Sequence, residues 1–335
     1  LTENEVSVLF ALIDRLRQRG VAILYISHKL REIEQIADRV TVLRDGHLVD
    51  SSSMTGRSKE ELARLMVGRE ITEMYPPRTH LPSDAPVVLE ARDMVVPGAV
   101  KQASFTLRQG EVLGFGGIVG AGRTALIEAV LGLRSKSAGQ VLRNGQPVVL
   151  RHLRDAVHQR IAYLTEDRKG KGLVLNMDLR SNVTLLNLRA HCHPLIDRRR
   201  EEQAFQQAIQ RFDIRLRTAA RTAAELSGGN QQKLLLAKVM SIAPEVVIIN
   251  EPTRGIDVGT KHQIYHFIHE LTEAGCSVIL ISSEMGELIG LSHRVAVMCA
   301  GVLTGVLEGE QINEHEIMQY ASGIKGAEVD EQCHG

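Results

Sequence analysis

A β-prone run, Glu111–Phe115, feeds directly into Gly116-Gly117-Ile118-Val119-Gly120-Ala121-Gly122-Arg123-Thr124 and then into the apolar-periodic stretch Ala125–Leu131. Strand, glycine-rich loop and helix in this order leave few folds open, and they point to a mostly parallel α/β sheet. The spacing follows G-x-x-x-x-G-K-[ST], with Arg123 where lysine is usual. Glycines let backbone N–H groups converge on an anion, and the helix start adds its positive dipole end. The loop therefore predicts a nucleotide-phosphate site formed by Gly117, Gly120, Ala121, Gly122, Arg123 and Thr124, with the Thr124 hydroxyl available to Mg²⁺. Arginine keeps the charge of lysine but presents it on a planar fork, so the exchange is not conservative.

The chain also repeats itself. Residues 20–46 align without a gap on residues 275–301, an offset of 255, with Gly20, Ile26, Ser27, Glu32, Arg39, Val40, Val42 and Gly46 identical in both copies. Each copy reads as a glycine helix stop, a buried strand, a short helix capped by Ser27 or Ser282, a second strand and a turn at Gly46 or Gly301. The helices ahead of them, 2–19 and 257–274, also correspond. Gene duplication explains gapless identity at the punctuation points better than two unrelated βαβ units do. On this alignment Leu1 corresponds to Ile256, so roughly 255 residues of a first copy are expected ahead of it and the chain reads as amino-terminally truncated.

Between the copies, residues 69–86 hold Pro76, Pro77, Pro82 and Pro86 and read as a linker. Short β-rich runs follow from Val87, helix-favouring sequence dominates from about 151 to 224, and alternating strands and helices then return. Leu226-Ser227-Gly228-Gly229-Asn230-Gln231-Gln232-Lys233 leads into a helix expected over about 231–240, with Ser227 as its cap and two glycines exposing backbone donors. The apolar run Val246–Ile249 ends in Asn250-Glu251-Pro252-Thr253-Arg254-Gly255-Ile256-Asp257, polar residues at the carboxyl end of a buried strand, where α/β sheets place their chemistry.

These motifs, in this order, resemble those of ATP-binding-cassette (ABC) ATPases, and LSGGNQQ is the form of the signature sequence familiar from monosaccharide importers. The resemblance covers nearly the whole chain. It implies a P-loop ABC cassette with an antiparallel β subdomain and a helical insertion at about 151–224. Residues 1–68 resemble the tail of a first cassette, 69–86 the linker, 87–326 a complete second cassette and 327–335 a short tail. By resemblance, Glu251 takes the general-base position and Asn250 replaces the aspartate that, with Thr124, organises Mg²⁺. Glu166, in Ala162–Lys169, takes the place of the Q-loop glutamine. Ser227, Gly228, Gly229 and Gln231 form the signature loop that closes on ATP held by the opposite cassette. His28 matches the switch histidine, whose repeat partner is Ser283 in Ile281–Glu284. Asn250 lacks the charge that attracts a hard cation, and Ser283 cannot donate from a ring nitrogen.

The resemblance further implies ATP and Mg²⁺ as cofactors, an ABC permease as membrane partner, a periplasmic sugar-binding protein acting indirectly, and a first cassette completing the composite sites. It implies a peripheral location on the cytoplasmic face of the cell membrane. One composite site would pair the first cassette's phosphate loop with Ser227–Gly229 and His28, and hydrolyse. The other, built on Gly117–Thr124, would be impaired by Arg123, Asn250 and Ser283. Two alternatives remain at this point: a non-catalytic remnant, and a soluble tandem ATPase without a membrane partner.

Composition agrees with a soluble fold. Forty basic residues balance forty acidic ones, which predicts no nucleic-acid partner. The longest apolar runs are far below the roughly 20 residues needed to cross a bilayer, and no basic, apolar leader suggests secretion. The scattered cysteines fit a reducing compartment. His191-Cys192-His193 reads as a surface loop rather than a zinc site, and Arg198–Arg200 as a solvated helix face. Residues 93–100 hold no aromatic to stack on adenine, so the base should be gripped weakly.

Overall fold

The computed structural model describes residues 3–27, 30–44, 47–58, 61–62, 65, 74–192, 194–216 and 222–326. The chain divides into two compact units, Leu1–Met74 with Asp257–Lys261, and Tyr75–Ile256 with His262–Gly335.

The first unit contains α1 (Glu3–Gln18), α2 (Leu30–Ile36) and a hairpin of β1 (Arg39–Arg44) and β2 (His47–Ser53). Val40 and Val42 point to one side of β1, as the two-residue period requires, and are buried together with Met54 and Leu62. The strand expected before α2 does not form. Residues 21–27 carry no ladder, and Leu24 and Ile26 are each 90% exposed. The matching strand of the second copy lies between two parallel neighbours. Among the described residues of the first unit no such neighbours exist, and an extended segment without them leaves its backbone groups to water.

In the second unit, β3 (Val87–Val96) and β4 (Val100–Arg108) form an antiparallel ribbon, followed by β5 (Val112–Gly116), α3 (Arg123–Val130), β6 (Ala138–Arg143), β7 (Gln146–Val148), α4 (Leu153–His158) and β8 (Ile161–Leu164). Next come α5 (Leu179–Thr184), α6 (Arg198–Phe212), α7 (Gly228–Met240), β9 (Val246–Asn250), α8 (Val258–Glu273), β10 (Ser277–Ile281), α9 (Met285–Leu291), β11 (Arg294–Cys299), β12 (Val302–Glu308) and α10 (Glu314–Ala321). Among the described residues, ten strands make one sheet in the order β7-β6-β3-β4-β12-β11-β5-β10-β9-β8. Strands β11, β5, β10, β9 and β8 run parallel.

Every residue of β5, β9 and β10 is buried, which is why these strands read as continuous apolar runs. Alternate residues serve opposite cores. Val112, Val247, Ile249, Val278 and Leu280 pack with Leu234 and Leu235 of α7 and Ile268 of α8. Leu113, Phe115, Val246, Ile248, Ile279 and Ile281 pack with Leu126 and Ile127 of α3 and Phe105 of β4.

Three local differences from the sequence reading have physical causes. The stretch 151–224 is not helical throughout: Ile161–Leu164, a short buried apolar run, is β8 and pairs with β9. The helical part follows it, opening on a wide turn at Arg168–Gly172. Helix α7 begins at Gly228, three residues earlier than expected, because the Ser227 Oγ accepts the Asn230 N–H at 3.4 Å. Part of the expected linker is packed structure. The Tyr75 ring stacks on Tyr265 at 5.0 Å, and Arg78 donates to the Ile289 carbonyl. His293 Nδ1 accepts the Val112 N–H at 2.9 Å while its Nε2 faces the Thr79 carbonyl at 2.9 Å. The rest of the expected linker, 69–73, and the tail 327–335 lie outside the described residues.

Candidate functional site

The glycine loop leaves the carboxyl end of β5. Gly117 (φ +142°), Gly120 (φ +87°) and Gly122 (φ +98°) adopt backbone conformations that other residues resist. Two of them are also sterically required. A Cβ at Gly117 would lie 2.4 Å from the Met298 carbonyl oxygen, and one at Gly122 would lie 2.5 Å from that of Ala99. Gly122 caps α3, which starts at Arg123, and its carbonyl accepts the Leu126 N–H at 2.9 Å. Ala121 is buried beneath the loop, whereas Val119 at its crown is 90% exposed. The result is a loop-plus-helix-start open to solvent, which suits an anion approaching from outside.

The carboxyl ends of β9 and β10 face this loop. Asn250, 1% exposed, donates from Nδ2 to Thr124 Oγ1 at 3.4 Å and to the Tyr163 hydroxyl at 3.2 Å. Its Oδ1 is buried without a hydrogen-bond partner among the described residues. Glu251 holds a left-handed backbone (φ +48°), unusual for a non-glycine residue, pinned by its N–H to the Ile281 carbonyl at 2.8 Å. Ser283 Oγ donates to Glu251 Oε2 at 2.8 Å. Arg123 is buried and donates from Nη1 to the Ser282 carbonyl at 2.7 Å. Burial pulls its guanidinium below the usual range, and Glu251 and then Glu166 pull it back up. Glu166 also pairs with Arg254 at 3.6 Å.

Gly117–Thr124, Glu166, Asn250, Glu251 and Ser283 therefore come together. The signature residues do something else. Ser227 bonds within its own turn, to the Asn230 N–H and Nδ2, and Gln231 Nε2 ties α7 back to the Ala223 carbonyl at 3.0 Å. Gly228 is approached by the Arg168 guanidinium, 3.5 Å from where a Cβ would stand. Ser227 is nonetheless exposed. His28 lies outside the described residues.

Sequence reasoning missed Tyr163, whose hydroxyl braces Asn250, and Glu287, to which Ser282 Oγ donates at 2.6 Å. Ser282 does not cap α9 as expected. The cap position is Glu284, without a side-chain cap bond, and Ser282 Oγ accepts the Glu284 N–H at 3.0 Å. The identity of Glu32 and Glu287 across the repeat was the available signal.

For a nucleotide phosphate the fit is good: two glycines that tolerate no Cβ, a helix start and a buried guanidinium. For Mg²⁺ it is weaker. Thr124 Oγ1 and the orphaned Asn250 Oδ1 suit a hydrated cation, but both are neutral. Among the described residues no group of three or more His, Cys, Asp or Glu side chains could hold a metal.

Residues 100–254 match the ABC transporter family. The chain is 40% identical over 324 residues to the ribose import ATP-binding protein RbsA of Lacticaseibacillus paracasei, covering 96% of this chain and 64% of that protein. It is 43% identical over 327 residues to ribose import ATP-binding protein RbsA 2 of Agrobacterium fabrum, again covering 96% and 64%. The chain thus spans a little under two thirds of these curated relatives. In fold it is similar to a nucleotide-free ATP-binding cassette from an ABC transporter (TM-score 0.58, 18% identity, 69% of this chain and 95% of that one). A dimeric cassette in a post-hydrolysis state bound to ADP and Pi is equally similar (TM-score 0.58, 17% identity, 66% and 98%). With its glycine-loop geometry and this likeness over nearly its whole length, the chain is similar to ribose import ATP-binding proteins, and its residues 100–254 match the ABC transporter family.

Proposed function

We propose that this chain is an ATP-binding and ATP-hydrolysing subunit that energises import of a monosaccharide through an ABC permease. The observation that carries the reading is the convergence of the glycine loop, Asn250–Glu251 and Ser283 at the carboxyl ends of three adjacent parallel strands. Likeness to ribose import ATP-binding proteins supplies the substrate class.

In this reading residues 87–326 are one whole cassette, 1–68 the tail of another and 69–86 their linker. Gly117, Gly120, Ala121, Gly122, Arg123 and Thr124 bind the phosphates. Glu251 orients a water and accepts its proton, and Ser283 and Glu166 border the site. Mg²⁺ would be held by Thr124 and Asn250, and when bound would offset phosphate charge. His28 would act as the switch histidine of the first cassette. Ser227, Gly228 and Gly229, with Gln231 bracing their helix start, would close on ATP held by an opposing cassette. The neutral Asn250 and the replacement of histidine by Ser283 weaken this chain's own phosphate site for hydrolysis, each by roughly a hundredfold in rate.

The membrane partner would be a permease fed by a periplasmic sugar-binding protein, with this subunit peripheral on the cytoplasmic face. No helix among the described residues is long and apolar enough to cross a membrane. Phosphate release by the purified chain tests the reading. Turnover should be absent alone, appear when a complementary first cassette is added, and vanish with Ser227→Arg. Robust turnover by the chain alone, or turnover that survives Ser227→Arg, would overturn the assignment of the composite site.

A further inference from the structure

Glu287 is 1% exposed, and among the described residues it has no ion-pair partner. Its carboxylate is held instead by three hydroxyls. Ser282 donates to Oε2 at 2.6 Å, Tyr265 donates to Oε1 at 2.8 Å, and Thr253 makes a short bond to Oε1. A buried carboxylate without a cation is costly, and a well-packed apolar side chain is commonly no worse for stability. Position, rather than stability, is the better reason for such a group.

Its three partners lie where position matters. Thr253 follows Glu251 by two residues and is itself buried. The Ser282 carbonyl accepts from Arg123, and the neighbouring Ser283 donates to Glu251. Tyr265 carries the network to the packed linker. The Tyr75 ring stacks on it and fills a slot that exists only because Gly286 and Gly290 lack side chains. A Cβ at Gly290 would lie 2.4 Å from the Tyr75 ring, and one at Gly286 would lie 2.6 Å from its hydroxyl. The serine–glutamate pair also recurs. In the first copy, 255 residues earlier, Ser27 donates to Glu32 at 3.0 Å, and Tyr25 does so at 2.7 Å.

We propose that Glu287 is a positioning residue: it clamps the loop after β9 to the loop after β10, and through Tyr265 it passes occupancy of the phosphate site to Tyr75 in the linker. This rests on the phosphate-site reading above. An anion bound near Arg123 and Glu251 must shift or stiffen Ser282 and Thr253, and one carboxylate joins both to the tyrosine pair. Networks of this kind give coupling beyond their separate bonds when every member is satisfied.

Hydrogen–deuterium exchange of the full chain, read by mass spectrometry over residues 75–82 with and without ATP, tests this. Equilibrium dialysis of labelled ATP measures binding in parallel. In the parent chain ATP should slow exchange over 75–82 by about tenfold. Glu287→Gln and Thr253→Val should bind ATP within about threefold of the parent yet lose that response, and Thr253→Ser should restore it. If Glu287→Gln does not fold, the Thr253 pair decides alone. Bound ATP with unchanged exchange in the parent overturns the coupling and leaves the phosphate site standing, as does a response that survives Thr253→Val. Failure of the parent to retain ATP removes the phosphate-site reading and this proposal together.

Discussion

Gly120 and Gly122 share a left-handed backbone but not a neighbourhood, and replacing each by alanine separates two costs that usually come mixed. At Gly120 (φ +87°) an added Cβ meets nothing within 4 Å. Gly120→Ala should therefore cost only the conformational penalty of a side chain in this region, about 1–2 kcal/mol. At Gly122 (φ +98°) the same penalty applies, and the Cβ also falls 2.5 Å from the Ala99 carbonyl oxygen. That oxygen belongs to the tight turn between β3 and β4, so relief requires backbone movement of roughly 0.7 Å, adding about 1–3 kcal/mol. Gly122→Ala should thus cost about 2–5 kcal/mol in total. Because Gly122 is the cap of α3, the movement also carries the first amides of that helix off their anion, and ATP affinity should fall by about tenfold or more. Urea midpoints read by far-UV circular dichroism at matched slope measure the first effect, and calorimetric titration with ATP measures the second. Equal destabilisation by the two alanines would refute the steric argument, as would Gly122→Ala being the milder.

Other substitutions probe the surroundings. Asn250→Asp should raise Mg²⁺-dependent ATP affinity by about tenfold, read by calorimetry with and without chelator, while lowering the stability of the ATP-free chain because the site is 1% exposed. Equal affinity in both conditions would count against Asn250 as a metal neighbour. Burial holds the His293 imidazole below its ordinary 6.5. The unfolded chain therefore takes up a proton that the fold refuses, so this contribution to stability is present above pH 6.5 and is lost as pH falls through it. Urea midpoints should drop from pH 7.5 to 5.5, and drop less in His293→Asn, which keeps an acceptor for the Val112 N–H; parallel profiles would contradict this. Glu111 is wholly buried, accepts the Arg108 N–H at 2.6 Å and pairs with Arg294 at 3.0 Å. Glu111→Gln should cost about 2 kcal/mol by thermal or urea unfolding, and a neutral outcome would show that Glu308, which pairs with Arg294 at 2.7 Å, satisfies it alone.

The phosphate loop, β9 and β10 were legible in the sequence because one physical demand, burial on both faces, makes a strand uniformly apolar, and close backbone approach requires glycine. The position of Asn250 and Glu251 at a strand's carboxyl end was legible because polar residues close an otherwise apolar run, whereas Ser283 was picked out only by its place in the repeat, opposite His28. Less local features were not. The apolar run 21–26 reads as a strand as well as 276–281 does, yet a ladder depends on neighbours that no single segment encodes. Ser27 and Ser282 look like helix caps, whereas Ser282 instead bridges an amide and a carboxylate. Four prolines marked 69–86 as linker, and the described part, 74–86, holds no helix, but composition said nothing of Tyr75 finding a slot between two glycines on α9.

Arg123 holds the phosphate loop to the end of β10 through a main-chain oxygen. That acceptor is the same whatever side chain residue 282 or 283 carries. Variation at those positions can change what touches the phosphates, or what orients Glu251, without unfastening the guanidinium. The attachment between loop and strand end is thereby insulated from drift in the residues beside it. A glycine loop fastened through a main-chain oxygen stays assembled against the strand end whichever side chains stand beside it.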